Sequence, residues 1–97
     1  MSDAIEFHRE MGTTHVAFFR TLVNAVEGRE YTVDGLFVRI NDADNRIEIE
    51  LSEEWRRKIA TISMPVTNVI WRFVGHTQEQ AEAIMARFEI YYRRGGG

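Results

Sequence analysis

Two hydrophobic periods follow one another along this chain, and the points where they change predict its elements. Between Thr14 and Gly28 the apolar residues Val16, Phe19, Leu22, Val23 and Val26 recur at three- and four-residue intervals, the spacing of one helix face. Thr13 or Thr14 supplies a capping hydroxyl, and Gly28 tolerates the left-handed conformation that ends many helices, so the pattern predicts a helix over 14–27. Phe18 beside Phe19 widens the apolar stripe and blurs its orientation. After Gly28 the period drops to two. Leu36, Val38 and Ile40 alternate with Phe37 and Arg39, and Ile47, Ile49 and Leu51 alternate with Arg46, Glu48 and Glu50, which predicts two strands. The connector Asn41-Asp42-Ala43-Asp44-Asn45 consists of residues that bond their own backbone and accept positive φ, so these strands pair as an antiparallel hairpin.

The stretches 58–64 and 66–74 are rich in Ile, Val, Thr and aromatics and read as two strands, or one long bent strand, around Pro65, which lacks a ladder donor. At the N-terminus Ile5 and Phe7 alternate with Glu6 and His8, which fits a short edge strand or a helical lead-in. At the other end Thr77 and Gln80 form a capping box that starts a helix near 78. Ala81, Ile84, Met85, Phe88, Tyr91 and Tyr92 make its apolar stripe.

Strands that follow one another without helical crossovers pair antiparallel, and amphipathic helices at the chain ends can cover one face of such a sheet. The expected fold is α+β: a two-layer sandwich of a mainly antiparallel sheet of about four strands with an N-terminal and a C-terminal helix on one face. Residues 1–94 form a single domain and 95–97 a flexible glycine tail. Alternation then assigns Leu36, Val38, Ile40, Ile47, Ile49, Leu51, Ile62, Met64, Val69, Trp71 and Phe73 to the core side. The uncovered side receives Phe37, Arg39, Arg46, Glu48, Glu50, Ile59, Thr61, Ile70, Arg72 and Val74.

The length of 97 residues limits the chain to one domain, and 15 acidic against 12 basic residues give a net charge of −3 that disfavours nucleic acid. There is no cysteine, hence no disulfide, thiolate metal site or cysteine nucleophile. The start of the chain lacks the regions of a secretory signal, and no apolar run approaches the roughly 20 residues that span a bilayer, so a cytoplasmic protein without membrane contact is expected.

No motif names a reaction, and no metal or cofactor is expected. His8, Glu10 and His15, with Arg20 on the first helix, are the residue types of an acid–base or ligand site in a pocket between that helix and the sheet. The acidic loop around Asp42 lacks the glycine and downstream glutamate of a calcium loop. Gly12-Thr13-Thr14 opens a helix that could receive an anion, and Trp55-Arg56-Arg57-Lys58 interleaves a ring with cations as single-strand binders do, though Glu53 and Glu54 cancel much of that charge. The tail Tyr91-Tyr92-Arg93-Arg94-Gly95-Gly96-Gly97 resembles the Arg-Gly-Gly ending of ubiquitin-like carriers. The likeness implies activation of a terminal glycine, but the body departs from that family in ending on a helix.

By elimination the expected function is that of a small accessory or adaptor protein that contacts an unidentified protein partner or itself, as a homodimer. Phe37, Ile59, Ile70 and Val74 with Arg72 form its expected interaction surface. The rival readings are the His8, Glu10, His15 and Arg20 pocket and weak nucleic-acid binding.

Overall fold

In the computed structural model, which describes residues 4–95, the chain runs β1 (Ile5–Met11), α1 (His15–Ala25), β2 (Tyr31–Asp34), β3 (Phe37–Asp42), β4 (Asn45–Leu51), β5 (Trp55–Ile59), β6 (Ile62–Val74) and α2 (Gln78–Gly95). The strands form one antiparallel sheet in the order β1-β6-β4-β3-β2, and β5 pairs with the first part of β6. The α+β class and the antiparallel sheet with two helices are as the sequence predicts. The sheet has six strands, however, and not about four. β1 takes the strand option that its alternation left open. β2 is four residues long with three of them exposed, too short and too polar to carry a readable period. β6 runs unbroken through Pro65.

The first helix does not begin the chain but follows β1. Because β1 and β2 are the two edges of the main sheet, α1 must cross the whole core face to join them. Its 11 residues span about 16 Å at 1.5 Å per residue, close to the width of five strands spaced about 4.8 Å apart.

Register places two apolar rows under the helices: Phe7, Trp71, Ile49 and Val38, ending at the exposed Val33 on the edge, then Ile5, Phe73, Ile47, Ile40 and Tyr31. Phe18, Leu22, Ala25 and Val26 of the α1 segment and Ala81, Met85, Phe88 and Tyr92 of α2 close over them as one core. The predicted stripe of α2 thus faces the sheet. That of α1 is rotated: Val16 and Val23 are exposed and Phe18 takes the inner position. The aromatic contacts decide this orientation. The Phe18 ring stacks on Tyr92 at 4.7 Å and lies 5.8 Å from Trp71, while the Tyr92 hydroxyl donates to the Phe18 carbonyl at 3.1 Å. Burial pushes the Tyr92 phenol well above its ordinary pKa, so it stays a donor.

Local chemistry fixes the element ends. Thr14 caps α1 by accepting from the Ala17 amide at 3.1 Å, and Thr77 and Gln80 close the capping box of α2 reciprocally at 3.1 and 2.9 Å. Gly75 joins β6 to α2 with φ +94°, a backbone conformation that residues with a Cβ rarely adopt, and a Cβ there would also press on the Asn45 side chain. α2 runs through Gly95, and the rest of the glycine tail lies outside the described residues. Among the described residues no helix is long and apolar enough to cross a membrane.

The rotated orientation of α1 has a direct test. Phe18→Ala lowers the unfolding free energy by about 3–5 kcal/mol. Val23→Ala, on the solvent side, changes it by no more than about 0.5 kcal/mol. Urea denaturation of the two variants reads the difference, and the reverse ranking would refute the packing.

Candidate functional site

The polar residues predicted to form a ligand site do not converge. His8 and Glu10 stand exposed on the open face of the sheet, opposite the helices, and His8 Nε2 lies 3.0 Å from Glu6. His15 opens α1 with Nε2 2.8 Å from the Ser52 carbonyl and Nδ1 3.5 Å from Glu54, and Arg20 is exposed. Phe18 and Leu22 fill the space between α1 and the sheet, where the pocket was expected. The anion position at the start of α1 is taken by the chain's own Glu54, which accepts from the His15 amide at 2.8 Å.

A cleft of about 340 Å³ lies elsewhere, between β1 and α2, lined among others by Arg9, Trp71, Met85, Glu89 and Tyr92. Arg9 donates to Glu89 at 2.8 Å across it, and the buried Trp71 indole N–H has no acceptor.

The acidic β3–β4 turn is a structural device. Asp42 accepts from Arg29 Nε at 2.9 Å and lies 2.7 Å from Nε2 of the buried His76, tying the α1–β2 connection, the hairpin and the β6–α2 turn together. Burial alone would raise the Asp42 carboxyl, but the hydrogen bonds from Arg29 and His76 outweigh it and hold the group below its ordinary pKa. His76 also meets the Phe73 ring edge-on, at 5.3 Å. Among the described residues no three His, Cys, Asp or Glu side chains gather as a metal site.

The open face carries the other predicted set. Register gives one row of Asp34, Phe37, Glu50, Ile70 and His8 and a second of Thr32, Arg39, Glu48, Arg72 and Glu6. Phe37 and Ile70 are therefore separated by Glu50, and Val74 lies on the far side of Arg72 from Ile70. The three are half-buried residues set into a charged ladder rather than one patch. Arg72 is the centre of that ladder, with Glu6 at 2.8 Å, Glu48 at 3.4 Å and Glu50 at 3.5 Å. The hydrogen bond with Glu6 raises the Arg72 pKa and lowers that of the Glu6 carboxyl.

Ile59 is remote from this face, and its position leads to the feature that alternation missed. β6 has 13 residues, but β1 pairs only with Thr67–Phe73 and β4 only with Val69–Val74, so Ile62–Val66 have β5 as their described strand partner. The pair leaves the body as a two-stranded ribbon around the turn Ala60–Thr61, and the molecule is 47 Å long against 27 and 24 Å across. Ile62 and Met64, expected in the core, project past the ends of β1 and β4. The pairs Trp55–Val66, Arg57–Met64 and Ile59–Ile62 share one side of the ribbon, and Arg56–Pro65 and Lys58–Ser63 share the other. One side therefore exposes Trp55 (38%), Ile59 (56%), Ile62 (59%) and Met64 (45%), while the other presents cations.

The ribbon's root is pinned to the open face. The Trp55 indole donates to the Asn68 side chain at 2.6 Å, and Arg57 pairs with Glu10 while its guanidinium lies 5.2 Å from the Trp55 ring. Its apolar side thus continues the even-numbered face of β6. Ile59 and Ile62 close the two-residue turn as a hydrogen-bonded pair, and hydrogen-bonded pairs then recur at every second position. Pro65 falls between two of them, so the N–H it lacks would have pointed outward, off the ribbon's edge. The sequence sign of the ribbon was the string Trp55–Ile59 itself, three consecutive cations between a tryptophan and an isoleucine, which no buried strand tolerates.

No protein-family model matches the chain, and comparison with curated proteins finds no similar sequence.

The Asp42 cluster generates a pH-dependent prediction. Asp42→Ala strands buried His76 and lowers stability by about 2 kcal/mol near neutral pH. Because the folded carboxyl has the lower pKa, its contribution is present above the unfolded value near ~3.9 and is lost as pH falls through the folded value. Urea titrations at stepped pH should show wild type and variant converging on the acid side, and a gap that widens there would overturn the assignment.

Proposed function

We propose that this protein is a small accessory or adaptor that works through protein–protein contacts made by the β5–β6 ribbon. The observation that carries this reading is the ribbon's amphipathic build: Trp55, Ile59, Ile62 and Met64 face solvent together on an element with no covering layer among the described residues. Two-stranded ribbons are marginally stable in water, and a contiguous exposed apolar face on one marks a surface completed by binding. Tryptophan and arginine side by side are also the residue types that dominate binding energy at protein interfaces.

Pro65 on the β6 edge disfavours strand addition on that side of the ribbon, where an incoming strand would find a donor missing, and so supports recognition by the apolar side. The dispersal of His8, Glu10, His15 and Arg20 favours contact function over acid–base catalysis. Nucleic acid is disfavoured because the ribbon's three cations sit on a chain whose remainder has nine basic and fifteen acidic residues.

A second reading, small-ligand binding, draws on the cleft between β1 and α2 and on the unpartnered Trp71 indole. One experiment separates the two. In affinity capture from native extract, wild type retains a protein partner at stoichiometric level and Ile59→Glu/Ile62→Glu loses it. A co-purifying small molecule held equally by both proteins, with no protein difference between them, would replace the adaptor reading with ligand binding.

A further inference from the structure

The cleft between β1 and α2 holds two polar features that the packing of the fold does not account for. The first is a buried donor. The Trp71 ring lines the cleft and is only 1% exposed, yet its indole N–H, which can donate but not accept, has no acceptor among the described residues. Buried donors in folded proteins are nearly always paired, so one left open in a cavity wall points to an acceptor brought by a ligand. The second is a cation in an apolar position. The odd-numbered residues of β1 face the helices, and there Ile5, Phe7 and Met11 pack against the core while the fourth of the set is Arg9. Arg9 donates from Nε to Glu89 at 2.8 Å and from Nη1 to the His8 carbonyl at 3.1 Å, and its Nη2 has no acceptor among the described residues.

Charge and shape narrow the ligand. Arg93, one helical turn beyond Glu89, lines the same cleft, and Glu10 at its border is already paired with Arg57, which leaves two cations against the one carboxylate of Glu89. A monoanion matches that balance, whereas a dianion would be repelled by Glu89. The groups open to a ligand, an indole and two guanidinium groups, are donors only, and the complement of such a set is an acceptor-only group with more than one oxygen, which a carboxylate is. The remaining wall is apolar, built from Met11, Met85 and the Tyr92 ring. The volume of about 340 Å³ is at the small end of the roughly 300–1,000 Å³ of small-molecule sites and suits a body about the size of one aromatic ring.

We infer that this cleft binds a small monocarboxylate with an apolar body, an arylacetic or short fatty acid. One carboxylate oxygen accepts from the Trp71 indole and the other from the arginines, and the body lies against Met11 and Met85. The inference rests on the ligand-binding reading of this protein and is independent of what the ribbon contacts.

An NMR titration of the full ¹⁵N-labelled chain tests it, with Trp55→Phe identifying which of the two indole N–H signals belongs to Trp71. Phenylacetate and hexanoate move the Trp71 signal downfield and saturate it, while acetate at the same concentrations does not. Phenylacetamide, the neutral counterpart, binds about tenfold or more weakly than phenylacetate, and Arg9→Gln/Arg93→Gln, with circular dichroism unchanged, loses that preference. If the amide binds wild type as well as the acid does, or the double variant keeps the preference, the carboxylate assignment is overturned while ligand binding stands. If none of phenylacetate, hexanoate and phenylacetamide moves the signal, ligand binding at this cleft falls with it. An indole proton already shifted upfield in the free protein would show that the Tyr92 ring, 5.7 Å away and edge-on, is its acceptor, and would also overturn the inference.

Discussion

The fold depends on how Trp71 is enclosed. It stands on the central strand β6, with the Phe88 ring 4.8 Å away, Tyr92 at 5.7 Å and Phe18 at 5.8 Å, so both helices close on one side chain. Aromatic rings bury large areas and meet in restricted geometries, so this cluster fixes both the position of α2 along β6 and the rotation of α1. Once Trp71 faces the helices, pleating commits every second residue of β6 to that side and the alternate residues to solvent. The charged ladder around Arg72 and the apolar side of the ribbon follow from that commitment.

Where a side chain's environment is set by near neighbours, the sequence was enough. The Thr77–Gln80 box, the Asn- and Asp-rich hairpin turn and the stripe of α2 were all legible, because each depends on residues within a turn or two. The rotation of α1 was not. Val16, Phe19 and Val23 make as regular a stripe as Phe18, Leu22 and Ala25, and what separates them is contact with Tyr92 and Trp71, far away in the chain. β2 escaped notice because an edge strand exposed on most of its residues carries no alternation.

The candidate site was harder to read for a different reason. Alternation gives which residues share a side but not where the covering layer stops. Grouping Ile62 and Met64 with Val69, Trp71 and Phe73 in the core requires the alternation to change phase at Pro65; β6 runs through Pro65 without such a change, so the two fall on its even-numbered open face, where β1 and β4 also end before reaching them. Ile59 faces outward, but its neighbours there are the ribbon residues and not Phe37 or Val74. The polar set around His8 is dispersed for a simpler reason, since nearness in sequence across Gly12 becomes separation when the chain turns from strand to helix.

Pro65 bears on the kind of assembly such a chain can build. A projecting ribbon with an apolar side and bare backbone edges is the shape from which fibres grow, each added strand presenting a fresh edge to the next. A proline facing outward interrupts that edge and cannot be bypassed by shifting register within so short a ribbon. The ribbon can then be sticky on its flat side while only one of its two edges, that of β5, is left to template a further strand.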